Sequence, residues 1–202
     1  MGRTHWLIGL AFAPTALFAQ AAKAPPPPAV APLTEAQQIA SSVLALPTEF
    51  RSNARILGYR SGSTKLVPLR EGSGPFTCLA TEPNQPMHLA CYHNSMEPFM
   101  ARGRALREEG VKGPQVDTVR FAEVKSGKLP MPTQPAALYQ LFGGTYDPAT
   151  NALTGAQPLF VIYISGATAA STGLPDKPAA QGSPWIMFPG TPKAHIMLTP
   201  KM

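Results

Sequence analysis

Apolar side chains recur at helical spacing in a segment near residue 40. Thr34 and Gln37 stand at its start with the spacing of a capping box, and Pro47 ends it. The apolar positions between them are Ile39, Val43 and Leu46. This pattern predicts the first helix of the fold.

A second helical segment carries the clearest apolar stripe of the chain. Asn94 and Glu97 have capping-box spacing, Ser95 is an alternative cap, and Gly110 ends the segment. The stripe consists of Met96, Phe99, Met100, Gly103 and Leu106. We expect both methionines to be buried against a sheet, with the glycine allowing a close approach to it. In residues 114–125, Pro114 and Gly127 favour a third helix, although Val119 and Phe121 alternate as they would in a strand.

Shorter apolar runs, many bounded by glycine or proline, predict eight strands. They are Ala54–Tyr59, Thr64–Leu69, Phe76–Thr81, Met87–His93, Leu138–Phe142, Pro158–Ile164, Pro184–Phe188 and Ala194–Leu198. Pro68 cannot donate to a ladder, which favours an edge or a bulge for its strand. The run Leu159–Ile164 is apolar on both faces and is expected to be the central strand. Together these patterns predict an α+β fold, a single domain with a largely antiparallel β-sheet and about three helices packed against it.

The two cysteines occupy matching positions in a predicted hairpin. A turn centred between Asn84 and Gln85 places Cys78 directly opposite Cys91 on the neighbouring strand. We therefore expect a disulfide, with Cα atoms about 4.4–6.8 Å apart. The Cys-x-x-Cys spacing of thioredoxin-like redox sites is absent from the sequence, which argues against redox catalysis.

The first twenty-odd residues have the layout of an export signal. Arg3 precedes an uncharged apolar run, and Ala19-Gln20-Ala21 supplies small residues for signal peptidase. The run is too short for a bilayer span, so no transmembrane segment is expected in the mature protein; a buried N-terminal helix is the alternative. We expect a signal peptide over residues 1–21, a proline-rich disordered leader over 22–33 and a globular domain over 34–202. The protein would then be periplasmic or extracellular.

Composition narrows the class of protein further. Hydrophobic residues make up 44% of the 202 residues, enough for a core, and the 24 prolines argue against a helical bundle. The net charge of +6 is spread along the chain without a basic tract, which gives no indication of nucleic-acid binding. A mildly basic exported surface is the interpretation we adopt.

Copper binding is the first chemical alternative to a purely structural hairpin. Cys91 and His93, followed by Met96, supply thiolate, imidazole and thioether, which are the ligand types of a blue-copper centre. Only Tyr92 separates the cysteine from the histidine, however, which is closer than in cupredoxin loops. We therefore expect no metal and no cofactor.

Catalytic motifs do not single out an enzyme class either. Gly-x-Ser-x-Gly, His-Glu-x-x-His and Walker sequences are all absent. A stiff Pro-Gly-Thr-Pro turn would present Thr191, Lys193 and His195, which suits an anion or an acidic ligand, although a tight hairpin without a ligand is the favoured interpretation. The candidate binding residues are His93, Glu97, Arg102, Lys193 and His195.

Two segments, Ala90–Leu106 and Pro189–Met197, resemble exported bacterial proteins of unassigned function. The resemblance extends over most of the chain after about residue 40 and implies export and a bacterial source, but no catalytic residue. We expect a non-catalytic binding or structural role, with a small molecule or a protein as ligand. The alternatives are a hydrolase-like periplasmic enzyme that uses His93 or His195 and, less favoured, a copper-binding protein.

Overall fold

A computed structural model describes residues 29–200; the predicted signal peptide lies outside them. Five α-helices are formed: α1 (Glu35–Ser42), α2 (Thr48–Arg51), α3 (Glu97–Glu108), α4 (Gln115–Lys125) and α5 (Ala169–Thr172). The strands are β1 (Arg55–Tyr59), β2 (Leu66–Arg70), β3 (Phe76–Leu79), β4 (His88–His93), β5 (Ala136–Phe142), β6 (Thr145–Asp147), β7 (Ala152–Thr154), β8 (Gln157–Tyr163), β9 (Trp185–Met187) and β10 (His195–Leu198). The three longest helices are those that the sequence predicts.

Eight of the strands form one sheet in the order β2-β1-β3-β4-β5-β8-β10-β9. All neighbours are antiparallel except β1 and β3, which run parallel. The predicted α+β class with a largely antiparallel sheet is therefore confirmed. Pro68 lies in the edge strand β2, opposite Leu57 and next to a shift in the pairing register, which fits the predicted edge or bulge.

Some details of the sheet differ from the prediction. The strand β8 has neighbours on both sides, but β4 and β5 occupy the middle of the sheet. The strand predicted to be central therefore lies one position away from the centre. The small β6–β7 hairpin was not predicted, because its strands are only three residues long. Among the described residues, no helix has the length and apolar character needed to cross a membrane.

The first face of the sheet, which packs against α1, holds the disulfide. Cys78 pairs with Cys91, and Phe76 with His93, so the predicted register is confirmed. A disulfide joins the two cysteines, whose side chains are fully buried in the core cluster under α1. Their Cα atoms lie 4.0 Å apart, somewhat closer than the expected range. This bond ties together two adjacent strands near the middle of the sheet.

The second face packs against α3. Because side chains alternate along a strand, Ala90 and Tyr92 of β4 point to this face and join a core cluster with Met96 and Phe99. Met96 is fully buried, as expected, whereas Met100 is only half-buried against the same cluster. The methionine stripe is thus part of the core.

The start of α3 corrects the predicted capping box. The side chain of Asn94 donates to the carbonyl of Gly74 at 2.9 Å instead of capping the helix. A short 3₁₀ turn, Asn94–Met96, precedes α3, and His93 caps that turn by accepting from the N–H of Ser95. Neither Asn94 nor Ser95 therefore acts as the cap.

Residues 29–33 precede the predicted domain boundary, yet they contact the domain. The N–H of Val30 donates to the carbonyl of Gln85 at 2.9 Å, and its carbonyl accepts from Asn84 at 3.2 Å. The Val30 side chain packs against the core cluster that contains the disulfide. The end of the leader is thus held against the turn between β3 and β4.

Candidate functional site

The second face of the sheet is open beside α3 and α4, where a cleft of about 290 Å³ lies. Its floor comes from β4, β5 and β8, and its walls come from the two helices and from the loop before β10. The basic residues that line it are Arg104, Arg107, Arg120 and Lys193. Three separate elements thus bring four cationic side chains to one cavity.

Arg104 is held by a hydrogen-bonded triangle. It donates to the Tyr92 hydroxyl at 2.9 Å and to a Glu97 carboxylate oxygen at 2.7 Å, and the Tyr92 hydroxyl donates to the other oxygen of Glu97. Burial raises the pKa of Tyr92 well above its ordinary value, so the phenol keeps its proton. The guanidinium is therefore fixed in orientation while it lines the cleft.

Arg120 is the buried cation of the cleft, at 4% exposure. Its guanidinium lies 3.9 Å from the centre of the Phe99 ring, donates to the Phe99 carbonyl at 3.1 Å and pairs with Asp117. Its Nε is buried and has no hydrogen-bond partner among the described residues. A Cβ at Gly103 would lie 2.8 Å from this guanidinium. The glycine on the α3 stripe therefore makes room for Arg120, rather than for the sheet as predicted.

Lys193 shares the carboxylate of Arg120. Its Nζ donates to the second oxygen of Asp117 at 2.8 Å and lies 4.7 Å from the centre of the Phe188 ring. Burial raises the pKa of Asp117, but the hydrogen bonds from Lys193 and Arg120 outweigh it and hold this pKa below the ordinary value. One carboxylate thus serves two cations.

The cleft carries an excess of positive charge. Arg107 is exposed and donates to the Gly103 carbonyl at 3.0 Å, with no carboxylate within 4 Å in the part of the chain that the structure describes. Over residues 29–200, only two carboxylates, Glu97 and Asp117, pair with these four cations. Glu97 also lies 3.7 Å from a further arginine, Arg55. Burial raises the pKa of the cleft residue Tyr163 to about 12, so that hydroxyl remains a donor.

The loop that carries Lys193 begins with a strained residue. Phe188 has φ 54°, which is unusual for a bulky side chain and more so before a proline. Its carbonyl accepts from the Thr191 hydroxyl at 2.8 Å, and the N–H of Gly190 donates to Ala167 at 2.7 Å. The loop is thus fastened at two points, and it holds the Phe188 ring 42% exposed beneath Lys193. Strain of this kind concentrates at functional sites.

The sequence-predicted candidates are distributed over three places. Lys193 lines the cleft, and Glu97 stands behind it as the partner of Arg104. His195 is buried next to Tyr163, with ring centres 5.0 Å apart, and its Nδ1 donates to the Lys193 carbonyl at 2.6 Å. These three residues belong to the cleft or its immediate support.

The other two candidates have different surroundings. His93 packs edge-on against Phe76 on the first face of the sheet, with ring centres 5.8 Å apart. Arg102 makes a bidentate pair with Glu123 at 2.8–3.0 Å and a further bond to Glu109 at 3.0 Å. Glu123 lies on α4 and Glu109 directly follows α3, so Arg102 ties the two helices together.

Sequence reasoning missed Arg104, Arg107, Arg120 and Asp117, of which Arg120 carried a signal. Arg120 follows Val116 by four residues, so a helix over 114–125 places it on the same face as a buried valine. A positive charge on the apolar face of a helix is a signal for a paired or ligand-binding arginine. That signal was present in the sequence.

The buried His195 makes the stability of the protein pH-dependent. Burial lowers the pKa of its imidazole below the ordinary value, although the hydrogen bond to Lys193 opposes this. The unfolded chain then binds more protons than the folded protein once the pH falls below about 6.5, so stability is lost on acidification.

In His195→Gln, the free energy of unfolding should change less between pH 7 and pH 5.5 than in wild type. Urea titrations at both pH values measure this, with His93→Gln as control; equal pH dependence in all three proteins would contradict it.

The copper alternative is not compatible with this arrangement. Cys91 is in the disulfide and so offers no thiolate, and Met96 is fully buried in the core. Within residues 29–200, no group of three or more His, Cys, Asp or Glu side chains is placed to hold a metal ion.

The chain was compared with known proteins at the level of family, sequence and structure. No protein family, no curated protein and no solved structure matches it.

Proposed function

We propose that this chain is an exported, disulfide-stabilised domain with a non-catalytic binding role, and that its cleft takes an oxyanion. The observation that carries the proposal is the sharing of Asp117 between Arg120 and Lys193. Arg120, which is buried, and Lys193 share this single carboxylate. Positive charge and N–H donor groups therefore remain uncompensated. A carboxylate, phosphate or sulfate group supplies what is missing.

The chemistry of the donors favours an oxyanion over a neutral polar ligand. Guanidinium groups present planar pairs of N–H donors that match the oxygens of carboxylate and phosphate. Arg104 and Arg120 are already oriented by Glu97 and Asp117, so little side-chain entropy is lost when a ligand binds. The apolar surroundings provided by Phe99 and Leu138 strengthen each charged interaction.

Export is supported by the sequence and by the disulfide together. The predicted signal peptide directs the chain out of the cytoplasm, and disulfides persist in oxidising compartments. The fully buried Cys78–Cys91 bond suits a domain that folds after export. The periplasm or the extracellular space is therefore the proposed location.

Anion binding is tested by titrating the protein with sodium sulfate and following backbone amide NMR shifts. The largest shifts should fall on α3, α4 and residues 188–195. Arg107→Ala should weaken sulfate binding about fivefold, as expected for the loss of a solvent-exposed charged hydrogen bond of about 1 kcal/mol.

Arg60→Ala is the matched control, because Arg60 is also an exposed arginine but lies in the turn between β1 and β2. It should bind sulfate as wild type does. Shifts spread evenly over the surface, or equal weakening in both variants, would contradict the proposal.

A further inference from the structure

We infer that the ligand is an amphipathic oxyanion, with its charged head among the arginines and an apolar tail along the open sheet face beside them. This inference rests on the proposed anion site and adds the chemical class of the rest of the ligand. It is carried by a second cavity, by the placement of the exposed aromatic side chains and by the distribution of charge.

A second cavity adjoins the basic cleft on the same face of the sheet. It measures about 400 Å³ and shares Leu79, His88 and Ala90 with the basic cleft. Leu66 adds apolar surface to it. The two cavities together form one groove, whose basic end has four cations and whose other end, here called the apolar cavity after Leu66, Leu79 and Phe142, has no lysine or arginine among the described residues that line it.

An aromatic platform lies in the apolar part of the groove. The rings of Phe142 and His88 are stacked, with centres 4.4 Å apart and planes within 12° of each other. His88 donates through Nε2 to the side-chain oxygen of Gln140 at 2.9 Å, which fixes the ring. Phe142 is 37% exposed at this position. A flat, fixed and accessible apolar surface of this kind suits a hydrocarbon chain or an aromatic ring.

The exposed large hydrophobic side chains lie in or beside the groove. In the described part of the chain, the large hydrophobic side chains that remain exposed are Phe142 and Phe188. Phe142 lines the apolar cavity, and Phe188 contacts Lys193 at the basic end. Exposed apolar side chains collected along one groove indicate a binding surface.

Charge sets the orientation of the ligand. Glu82 lines the apolar cavity and would repel an anionic head there, whereas the other cavity has Arg104, Arg107, Arg120 and Lys193. The head therefore belongs among the arginines and the tail beside Phe142. A ligand with a positive head and the same tail would be repelled from the basic end.

The inference is tested by calorimetric titration with sodium sulfate and with ethyl, butyl and hexyl sulfate, all below micelle-forming concentrations. A fully buried methylene strengthens binding about fourfold, so in this open groove hexyl sulfate should bind at least about tenfold more tightly than ethyl sulfate. Phe142→Ser should lose most of this gain and bind inorganic sulfate as wild type does, which also verifies that the variant is folded.

The possible outcomes bear on the two proposals in different ways. If sulfate binds but all three alkyl sulfates have the same affinity, the amphipathic ligand is refuted while the anion site stands. If none of the four anions binds, both proposals fail. Equal binding of hexyltrimethylammonium and hexyl sulfate would refute recognition of the anionic head, and tighter binding of a hexaglutamate peptide than of hexyl sulfate would identify an acidic peptide as the ligand instead.

Discussion

Removing the disulfide should lower the free energy of unfolding by about 3 kcal/mol, with 2–5 kcal/mol as the usual range for small exported domains. The bond closes a loop between residues thirteen apart in sequence, and opening that loop returns entropy to the unfolded chain. Both cysteines are fully buried in the core under α1, so removal of the bond destabilises the middle of the sheet. Urea denaturation of wild type and of the Cys78→Ala, Cys91→Ala double variant measures the difference.

Reduced wild-type protein is the control for this prediction, because it keeps both sulfur atoms and lacks only the bond. Its unfolding midpoint should fall with that of the double variant. Native protein should show no free thiol by intact mass after alkylation without reductant. Two reactive thiols, or a reduced protein as stable as the oxidised one, would contradict the structural role of the pair.

Asp117→Asn should destabilise the fold by about 3 kcal/mol, the lower end of the range for removing one partner of a buried ion pair. The asparagine leaves Arg120, whose side chain is 5% exposed, without a compensating charge, and it also frees Lys193. Sulfate should restore part of this loss, because an anion in the cleft replaces the missing carboxylate charge.

The control for this variant is Asp176→Asn, since Asp176 is exposed. Sulfate stabilises most proteins to some extent by exclusion from their surface, so the informative quantity is the extra gain of Asp117→Asn over wild type and over the control. Equal gains in all three proteins would show that the anion does not act at the cleft.

The fold was largely predictable because its signals are local. The turn at Asn84 and Gln85 lies between two apolar runs, and this fixes the pairing of Cys78 with Cys91. Apolar spacing predicts α1 and α3, whereas α4 follows only from the proline and glycine at its ends, because its apolar positions also fit a strand. The short β6–β7 hairpin has too few residues for such a pattern.

The cleft was predictable only in part, because it depends on contacts between distant segments. Lys193 and its partner Asp117 are 76 residues apart, and no local pattern joins them. On α3, residues two apart point in nearly opposite directions, so Arg102 faces Glu123 whereas Arg104 lines the cleft. The sequence interpretation named Arg102 as a candidate binding residue and did not name Arg104. Helical phase, combined with the apolar stripe, separates the two arginines.

The most direct test of the anion site is a crystal structure of the protein grown or soaked with sodium selenate, with data collected at the selenium absorption edge. Selenate has the shape and charge of sulfate, and its anomalous signal locates it independently of any other density. The account predicts an anomalous peak within hydrogen-bond distance of Arg120 and Arg107, with Lys193 at its side. Selenate bound only at other places on the surface, with the cleft free of anomalous signal, would contradict it.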